Sequence, residues 1–189
     1  MEWWNYAHEN YIQAKMSKSH LKAIVQQAKF VFRPLLCEFI QLAKSKQIPF
    51  LVFSAGLGDV IEEILKSTGY WIDDMEIVSN RMEFDDDGYC VGFHEPLIHV
   101  FNKNEASIFK GDHADKIKSK SNVILIGDSL GDVKMADGMK HEVKLTIGLL
   151  NHDHHSLIDK YLSTFDIVLC NDSSFEFLLK LINALGKSD

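Results

Sequence analysis

The sequence has no cysteine pattern that would support a disulfide framework or a structural metal site. Its three cysteines, Cys37, Cys90 and Cys170, are odd in number and widely spaced, and none belongs to a Cys-x-x-Cys pair. Small secreted domains that depend on disulfides carry an even and dense set of cysteines. Reduced thiols in the cytosol are the simplest account, so we expect a cytoplasmic protein.

Long apolar runs and an excess of positive charge are also missing. No stretch is long enough to cross a bilayer and no apolar signal-peptide core opens the chain, so no membrane partner is expected. Lys and Arg number 20 against 27 Asp and Glu, which gives a formal charge of -7. Nucleic acid needs clustered basic residues, so no nucleic-acid partner is expected either. An anionic small molecule can still bind in a locally positive pocket.

Two nucleotide-binding fingerprints are absent from the 189 residues. The sequence contains neither the Gly-x-Gly-x-x-Gly pattern of dinucleotide sites nor the Gly-x-x-x-x-Gly-Lys-Ser/Thr pattern of P-loops. A generic binding module of either type therefore has little support. The chemistry has to be sought in other residues.

The most informative stretch that is present covers residues 122–132. Residues 123–126 form a short apolar, β-branched run, which is typical of a strand buried on both faces of a parallel sheet. Two Gly-Asp pairs follow, ending in Asp128 and Asp132. Carboxylates that stand at the carboxyl end of a buried strand, partly open to water, suit Mg²⁺. The alternative is a plain turn with Asp128 as a helix N-cap, and the paired spacing favours the ion site over it.

Short apolar strands alternate with helical patterns along most of the chain. This alternation predicts an α/β fold with a mostly parallel sheet and helices on both faces, in one domain with at most a small appendage. A hairpin is expected over residues 82–93, around Asp85-Asp-Asp-Gly88. The predicted strands are 48–53, 76–79, 123–126, 144–149 and 166–169, and the predicted helices are 19–31, 34–42, 60–65, 113–120, 133–138 and 174–185.

Capping and loop residues are predicted from the same patterns. Ser19 is expected to cap the first of these helices, and Pro34 to occupy the first position of the second. His152, His154 and His155 lack the spacing of a structural zinc site, so they are expected to lie in a surface loop.

Ser54 holds the same place as Asp128, since it follows an apolar strand and precedes glycines and a helix. Its hydroxyl and the N–H groups of Ala55 and Gly56, at a helix N-terminus, would make an anion cradle. A simple helix cap is an equally good account of this Ser-Ala-Gly sequence. From the residues alone, both interpretations stay open.

A lysine and a missing nucleophile complete the chemical pattern. Lys103 could neutralise phosphate oxygens, although its spacing does not favour it over Lys110 or Lys116. An anion cradle, a cation and a carboxylate pair for Mg²⁺ suggest phosphoryl transfer. However, no Asp-x-Asp follows a strand upstream of Ser54, and the Asp85 pattern lies in a hairpin turn.

Three segments resemble motifs of the cytosolic pyrimidine 5′-nucleotidases, a family of the haloacid-dehalogenase superfamily. Phe53-Ser-Ala-Gly-Leu-Gly-Asp59, Ile98-His-Val-Phe-Asn-Lys103 and Gly127-Asp-Ser-Leu-Gly-Asp-Val-Lys-Met-Ala-Asp-Gly138 look like the second, third and fourth motifs of that family. The resemblance covers essentially the whole chain. It implies a haloacid-dehalogenase-like core with a partial helical cap.

The resemblance also implies roles for individual residues. Ser54 and Ala55 would bind the substrate phosphate and Lys103 would brace it. Asp128 would ligate Mg²⁺, and Asp132 would support the metal site from beside it. The implied partner is a nucleoside 5′-monophosphate, with a pyrimidine base, which the family hydrolyses to nucleoside and phosphate.

The family's first motif, an Asp-x-Asp that supplies the nucleophile and the acid/base, has no counterpart among these residues. The chain is therefore expected to begin inside the cap, with 1–33 as a cap remnant and 34–189 as a core lacking its first strand. Ala7 stands where the family has a serine near the base, and Pro34-Leu35 replaces a junction that contains glycine.

In the family, the strand that carries the nucleophile lies between the Ser54 strand and the Asp128 strand. Without it, exposed strand edges could associate with another chain, or the two strands could close up. We expect these residues alone to be inactive or nearly so, because a carboxylate nucleophile is essential to both displacement steps. The alternative is a non-catalytic protein that binds a nucleotide, phosphate or a partner.

Overall fold

The computed structural model describes residues 2–73, 75–99, 120–137 and 140–185. They belong to two units, each assembled from two separate stretches of chain. Unit 1 combines Met1–Val31 with Leu51–His99, and unit 2 combines Phe32–Phe50 with Val100–Asp189. Unit 1 thus adds a later stretch to the N-terminal helices, whereas the predicted division into 1–33 and 34–189 assigned that stretch to the core. That division stays a prediction.

Unit 1 begins with two helices, α1 (Glu2–Gln13) and α2 (Lys18–Gln27). The N-cap of α2 is Ser17, whose hydroxyl oxygen accepts a hydrogen bond from the His20 N–H at 3.2 Å. The prediction of Ser19 as the cap was therefore wrong by two residues. Both serines have the right chemistry for a cap, and only the path of the backbone before the helix decides between them.

Strands and one helix make up the second stretch of unit 1. Strands β1 and β2 form one two-stranded sheet, and β3 and β4 form an antiparallel hairpin, which confirms the predicted hairpin. In its turn, the Asp85 carboxylate accepts a hydrogen bond from the Tyr89 N–H at 2.7 Å. The elements are β1 (Phe50–Leu57), α4 (Gly58–Ser67), β2 (Met75–Asn80), β3 (Met82–Phe84) and β4 (Cys90–Phe93). Helix α3 (Leu36–Ser45) belongs to unit 2.

The N-terminal helices cover the hairpin. Leu21 of α2 is buried in one apolar cluster with Met82 and Cys90 of the hairpin. The His8 ring of α1 stacks on Phe93 with the ring centroids 3.7 Å apart. Because a short helix pair cannot bury its own apolar face, these contacts supply the stabilisation that α1 and α2 need.

Unit 2 is built around a three-stranded parallel sheet in the order β5-β6-β7. The predicted fold class, α/β with a mostly parallel sheet, is confirmed by this arrangement. Its elements are α3 (Leu36–Ser45), β5 (Asn122–Gly127), a 3-10 helix (Leu130–Ala136), β6 (Val143–Leu150), α5 (His154–Thr164), β7 (Ile167–Cys170) and α6 (Glu176–Ala184).

Helices lie on both faces of this sheet. One face packs Ile147, which is fully buried, against Phe39 of α3 and Leu178 of α6. The opposite face packs Leu150 of β6 against Tyr161 of α5. Successive side chains of a strand point to opposite faces, so β6 contributes to both apolar layers. None of the described helices is long and apolar enough to span a membrane.

The start of α3 differs from its prediction, because the helix begins at Leu36 and not at Pro34. Leu35 adopts a left-handed conformation with φ 67°. The residues before it are held by the segments after β6 and β7, because the Arg33 guanidinium donates to the Asn151 side chain and to the Ser173 carbonyl, the latter at 2.7 Å. These bonds fix a non-helical path that a proline alone does not specify.

Other predicted elements of unit 2 are altered in type or extent. The segment expected as a helix over 133–138 is a 3-10 helix that ends at Ala136. Helix α5 was not predicted, and it places His154 and His155 in its first turn instead of a loop. The predicted helix over 113–120, except for its last residue, lies outside the described residues.

Candidate functional site

The serine segment, residues 54–57, forms the second half of β1 in unit 1. The strand continues to Leu57 and helix α4 begins only at Gly58, so Ser54 is not a helix cap. The Ser54 hydroxyl oxygen accepts a hydrogen bond from the Gly56 N–H at 3.0 Å. The predicted cradle therefore does not lie at a helix N-terminus, because α4 begins only at Gly58. In addition, the Gly56 N–H already has the Ser54 hydroxyl as its acceptor.

A buried amide side chain from the end of β2 holds the serine segment. Asn80 is 2% exposed, and its Nδ2 donates to the Ala55 carbonyl at 2.8 Å and to the Ile98 carbonyl at 2.9 Å. Its Oδ1 accepts from the Ile98 N–H at 2.7 Å. The neighbouring Ser79 hydroxyl donates to the Gly56 carbonyl at 2.7 Å. Two consecutive carbonyls of the segment are thus fixed by side chains of β2.

The Gly-Asp pair that follows the serine segment has a structural role. The Asp59 carboxylate accepts from the Met82 N–H at 2.9 Å and lies 3.9 Å from the Arg81 guanidinium. A Cβ on Gly58 would lie 2.7 Å from Arg81 Nε, so a larger residue here would push the Arg81 side chain aside. Asp59 therefore ties the start of α4 to the turn between β2 and β3.

In unit 2, the aspartate loop, residues 127–132, follows β5 and leads into the 3-10 helix. Asp132 is 7% exposed, and its Oδ2 accepts from the Asp128 N–H at 3.2 Å and from the Ser129 N–H at 3.1 Å. A Cβ on Gly127 would lie 2.5 Å from the Asp132 Cβ, so only glycine leaves room for this side chain. Ser129 is the N-cap of the helix, and the alternative with Asp128 as N-cap is excluded.

The peptide groups around Asp128 are held on both sides, while its side chain is exposed. Its N–H donates to Asp132, and its carbonyl oxygen accepts a hydrogen bond from the Tyr161 hydroxyl at 2.5 Å. Burial raises the pKa of Tyr161, and the negative charges of Asp128 and Asp132 raise it further. The tyrosine thus stays protonated and remains a hydrogen-bond donor at neutral pH.

The donor chemistry of the aspartate loop fits part of a magnesium site. Mg²⁺ is bound in proteins through one or two carboxylates, with waters and substrate phosphates as the remaining ligands. Asp128 offers an exposed carboxylate, while one oxygen of Asp132 is engaged by backbone N–H groups. Within the described ranges, no group of three or more His, Cys, Asp or Glu side chains is placed to hold a metal.

The structure brings the predicted residues together in two pairs. Ser54 and Ala55 share the serine segment, and Asp128 and Asp132 share the aspartate loop. Lys103 lies outside the described residues. Asn80 and Tyr161 were missed by sequence reasoning, because neither belongs to a motif that points to these segments.

Comparisons with known proteins agree with this architecture. The chain is 36% identical over 177 residues to 7-methylguanosine phosphate-specific 5′-nucleotidase A of Xenopus laevis, covering 93% of the chain and 61% of the relative. It matches the crystal structure of cytosolic 5′-nucleotidase IIIB bound to cytidine with a TM-score of 0.88 and 32% identity, over 96% of the chain and 61% of that protein.

A more distant structure, a HAD family hydrolase from Salmonella enterica serovar Typhi, matches with a TM-score of 0.60 and 20% identity over 88% of the chain and 50% of that protein. At this identity the match shows the fold alone, which is the haloacid-dehalogenase-like fold. Residues 1–186 match the model of the family described as pyrimidine 5′-nucleotidase (UMPH-1), and the chain belongs to that family. It spans 61% of the length of the Xenopus relative.

Proposed function

We propose that the chain is the phosphate- and metal-binding part of a Mg²⁺-dependent 5′-nucleotidase, which hydrolyses nucleoside 5′-monophosphates to nucleoside and phosphate. The observation that carries this proposal is the aspartate loop. Its exposed carboxylate, Asp128, follows a buried parallel strand and has its peptide groups fixed by Asp132 and Tyr161. Family membership supports the same reaction class.

Each of the two segments has its own proposed task. The phosphate of the substrate is bound by Ser54, Ala55 and Lys103. Asp128 ligates Mg²⁺, and Asp132 supports the metal site from beside it. The metal supplies positive charge that neutralises phosphate oxygens. The bonds of Asn80 to Ala55 and of Ser79 to Gly56 support the first task, because they hold two backbone carbonyls of the serine segment on β2.

The proposed substrate is a pyrimidine nucleoside monophosphate. This proposal is supported by the family description and by the cytidine bound to cytosolic 5′-nucleotidase IIIB. The name of the Xenopus relative makes 7-methylguanosine monophosphate the competing substrate. Displacement of bound CMP by 7-methyl-GMP at a lower concentration than by UMP would reverse the order that we propose.

Binding without turnover is the second candidate function. It is favoured by one observation: no Asp-x-Asp stands upstream of Ser54 in the 189 residues, and the pattern at Asp85-Asp-Asp87 lies in the hairpin turn. Association through strand edges stays a proposal beside it. Among the described residues, β5 pairs only with β6, and β1 pairs only with β2. A cytoplasmic location is proposed from the printed name of the cytosolic nucleotidase that the chain matches.

The test uses the 189-residue protein. Calorimetric titration with CMP and Mg²⁺ is expected to show binding that Ser54→Ala and Asp128→Asn abolish. Ser67→Ala and Asp137→Asn, which alter exposed side chains on other segments, are the matched controls and should bind as the parent does. Absence of CMP binding by the parent protein would overturn the proposed function.

Turnover is tested in the same preparation by phosphate release from CMP. We expect none from these residues alone, and Mg²⁺-dependent release after fusion of an N-terminal segment that carries an Asp-x-Asp motif. Release from the unfused 189-residue protein would contradict binding without turnover. Failure of the fusion to release phosphate while it still binds CMP would contradict the nucleotidase assignment.

A further inference from the structure

We propose that Tyr161 is a positioning residue for the metal ligand Asp128, and that its hydroxyl sets the affinity of the aspartate loop for Mg²⁺. The proposal rests on the proposed function, in which Asp128 ligates the metal. Its basis is one contact, in which the Tyr161 hydroxyl donates to the Asp128 carbonyl oxygen at 2.5 Å. The tyrosine is 6% exposed, so the donor of this bond belongs to a buried side chain.

The contact completes a clamp on residue 128. The Asp128 N–H donates to the Asp132 carboxylate on one side, and the Asp128 carbonyl accepts from Tyr161 on the other. Both backbone polar groups of the residue are therefore engaged by side chains. With the backbone fixed in this way, only side-chain rotation of Asp128 has to be restricted when a cation binds.

The position of Tyr161 is itself determined by two contacts between β6 and the end of α5. A Cβ on Gly148 would lie 2.5 Å from Phe165 Cδ2, so the ring of Phe165 lies directly on the backbone of β6. The Asp166 carboxylate accepts from the Thr146 N–H at 2.8 Å and from the Thr146 hydroxyl at 2.7 Å. These contacts fix the position of α5 along β6, and therefore the position of the Tyr161 hydroxyl.

A purely structural tyrosine would not need this hydroxyl. The ring belongs to the apolar cluster with Leu125 and Leu150, and a phenylalanine would keep that packing. The hydroxyl makes the hydrogen bond to the aspartate loop. Replacement of Tyr161 by Phe therefore separates the two roles.

The first experiment measures metal affinity of the 189-residue protein directly, by Mn²⁺ electron paramagnetic resonance with Mg²⁺ competition. Tyr161→Phe is expected to weaken Mn²⁺ and Mg²⁺ binding by about tenfold, the lower end of effects seen for residues that orient metal ligands. Tyr89→Phe, which alters a tyrosine of the hairpin turn, is the matched control and should bind as the parent does. The urea midpoint of Tyr161→Phe should stay close to that of the parent.

A second variant reaches the same hydroxyl without altering it. Gly148→Ala forces Phe165 away from β6 and shifts α5, so it should also weaken metal binding although it touches no ligand. Parent-like metal affinity in Tyr161→Phe overturns the inference, while the proposed function survives provided that Asp128→Asn still abolishes binding. Equal binding by the parent and Asp128→Asn, or no binding by the parent, overturns both.

Discussion

The serine segment ends one apolar strand and the aspartate loop follows another, yet the backbone groups that are hydrogen-bonded differ between them. In the serine segment, side-chain donors of β2 fix the carbonyl oxygens of Ala55 and Gly56. In the aspartate loop, a carboxylate of the same loop fixes the N–H groups of Asp128 and Ser129. Side chains thus satisfy backbone carbonyl acceptors in the serine segment and backbone N–H donors in the aspartate loop.

This difference matches the charge that each segment is proposed to bind. Carbonyl oxygens that already accept hydrogen bonds repel an anion less, which suits the phosphate proposed at Ser54. N–H groups that already donate to Asp132 leave a loop dominated by negative charge, which suits a cation at Asp128. The pattern of backbone satisfaction, and not only the side chains, therefore distinguishes the two segments.

The largest effect is expected where the support comes from a fully buried side chain. Asn80→Ala removes three hydrogen bonds, two of which are buried bonds to the backbone of Ile98. Each buried group left unpaired costs roughly 1–3 kcal/mol, so we expect the free energy of unfolding to fall by about 3 kcal/mol. Urea denaturation measures it. Ser79→Ala, which removes one bond, is the control, and equal losses in the two variants would break the comparison.

The next effect separates a supporting carboxylate from a binding one. Asp132→Ala removes two hydrogen bonds to a buried charged group, so it should lower the free energy of unfolding by about 2 kcal/mol. Asp128→Ala alters an exposed side chain, so its stability should stay within about 0.5 kcal/mol of the parent. Both variants should lose Mg²⁺ binding in a calorimetric titration. A destabilised Asp128→Ala would show that the two aspartates share one role.

The smallest effect concerns the anchor of α5 and appears only at acid pH. Hydrogen bonds from the Thr146 hydroxyl and N–H hold the pKa of Asp166 below its ordinary value. Because the folded-state pKa is the lower one, this stabilisation is complete above the ordinary carboxyl pKa. It is lost as the pH falls through the lowered value.

Asp166→Asn should therefore reduce the acid dependence of unfolding. Urea midpoints measured from pH 7 down to acid pH test this expectation. Asp159→Asn, on the exposed side of α5, is the control. If the acid dependence of the urea midpoint is unchanged in Asp166→Asn, the hydrogen bonds of Asp166 to Thr146 contribute nothing to stability.

Much of the fold could be predicted because its strands are short, apolar and β-branched. The strands around residues 123–126 and 144–149 were found in this way, and the turn residues at 85–88 marked the hairpin. Helix α5 was missed although the residue before it is an aspartate, a type favoured at N-caps. Asp153, the residue before it, has a left-handed φ of 53° and makes no side-chain cap hydrogen bond.

The site could be predicted only as far as local spacing reaches. Asp128 and Asp132 are four residues apart, and the loop between them brings the carboxylate of one to the N–H of the other. The partners Tyr161 and Asn80 are 33 and 25 residues away from the backbone groups that they fix. No periodicity or motif encodes such a pairing, because it depends on how α5 and β2 are placed in the folded chain.

Leu35 shows how a single position can be pulled in two directions. Its left-handed backbone costs a non-glycine residue roughly 1–2 kcal/mol, while its side chain packs on the apolar cluster around Phe39 and Phe175. Full burial of a leucine side chain contributes about 1.5–3 kcal/mol, so the partial burial of Leu35 offsets a part of the backbone strain. A glycine here would relax the chain and empty the space beside α3. The backbone conformation at this position thus disfavours a leucine, while the packing of its side chain against the neighbouring aromatic rings favours it.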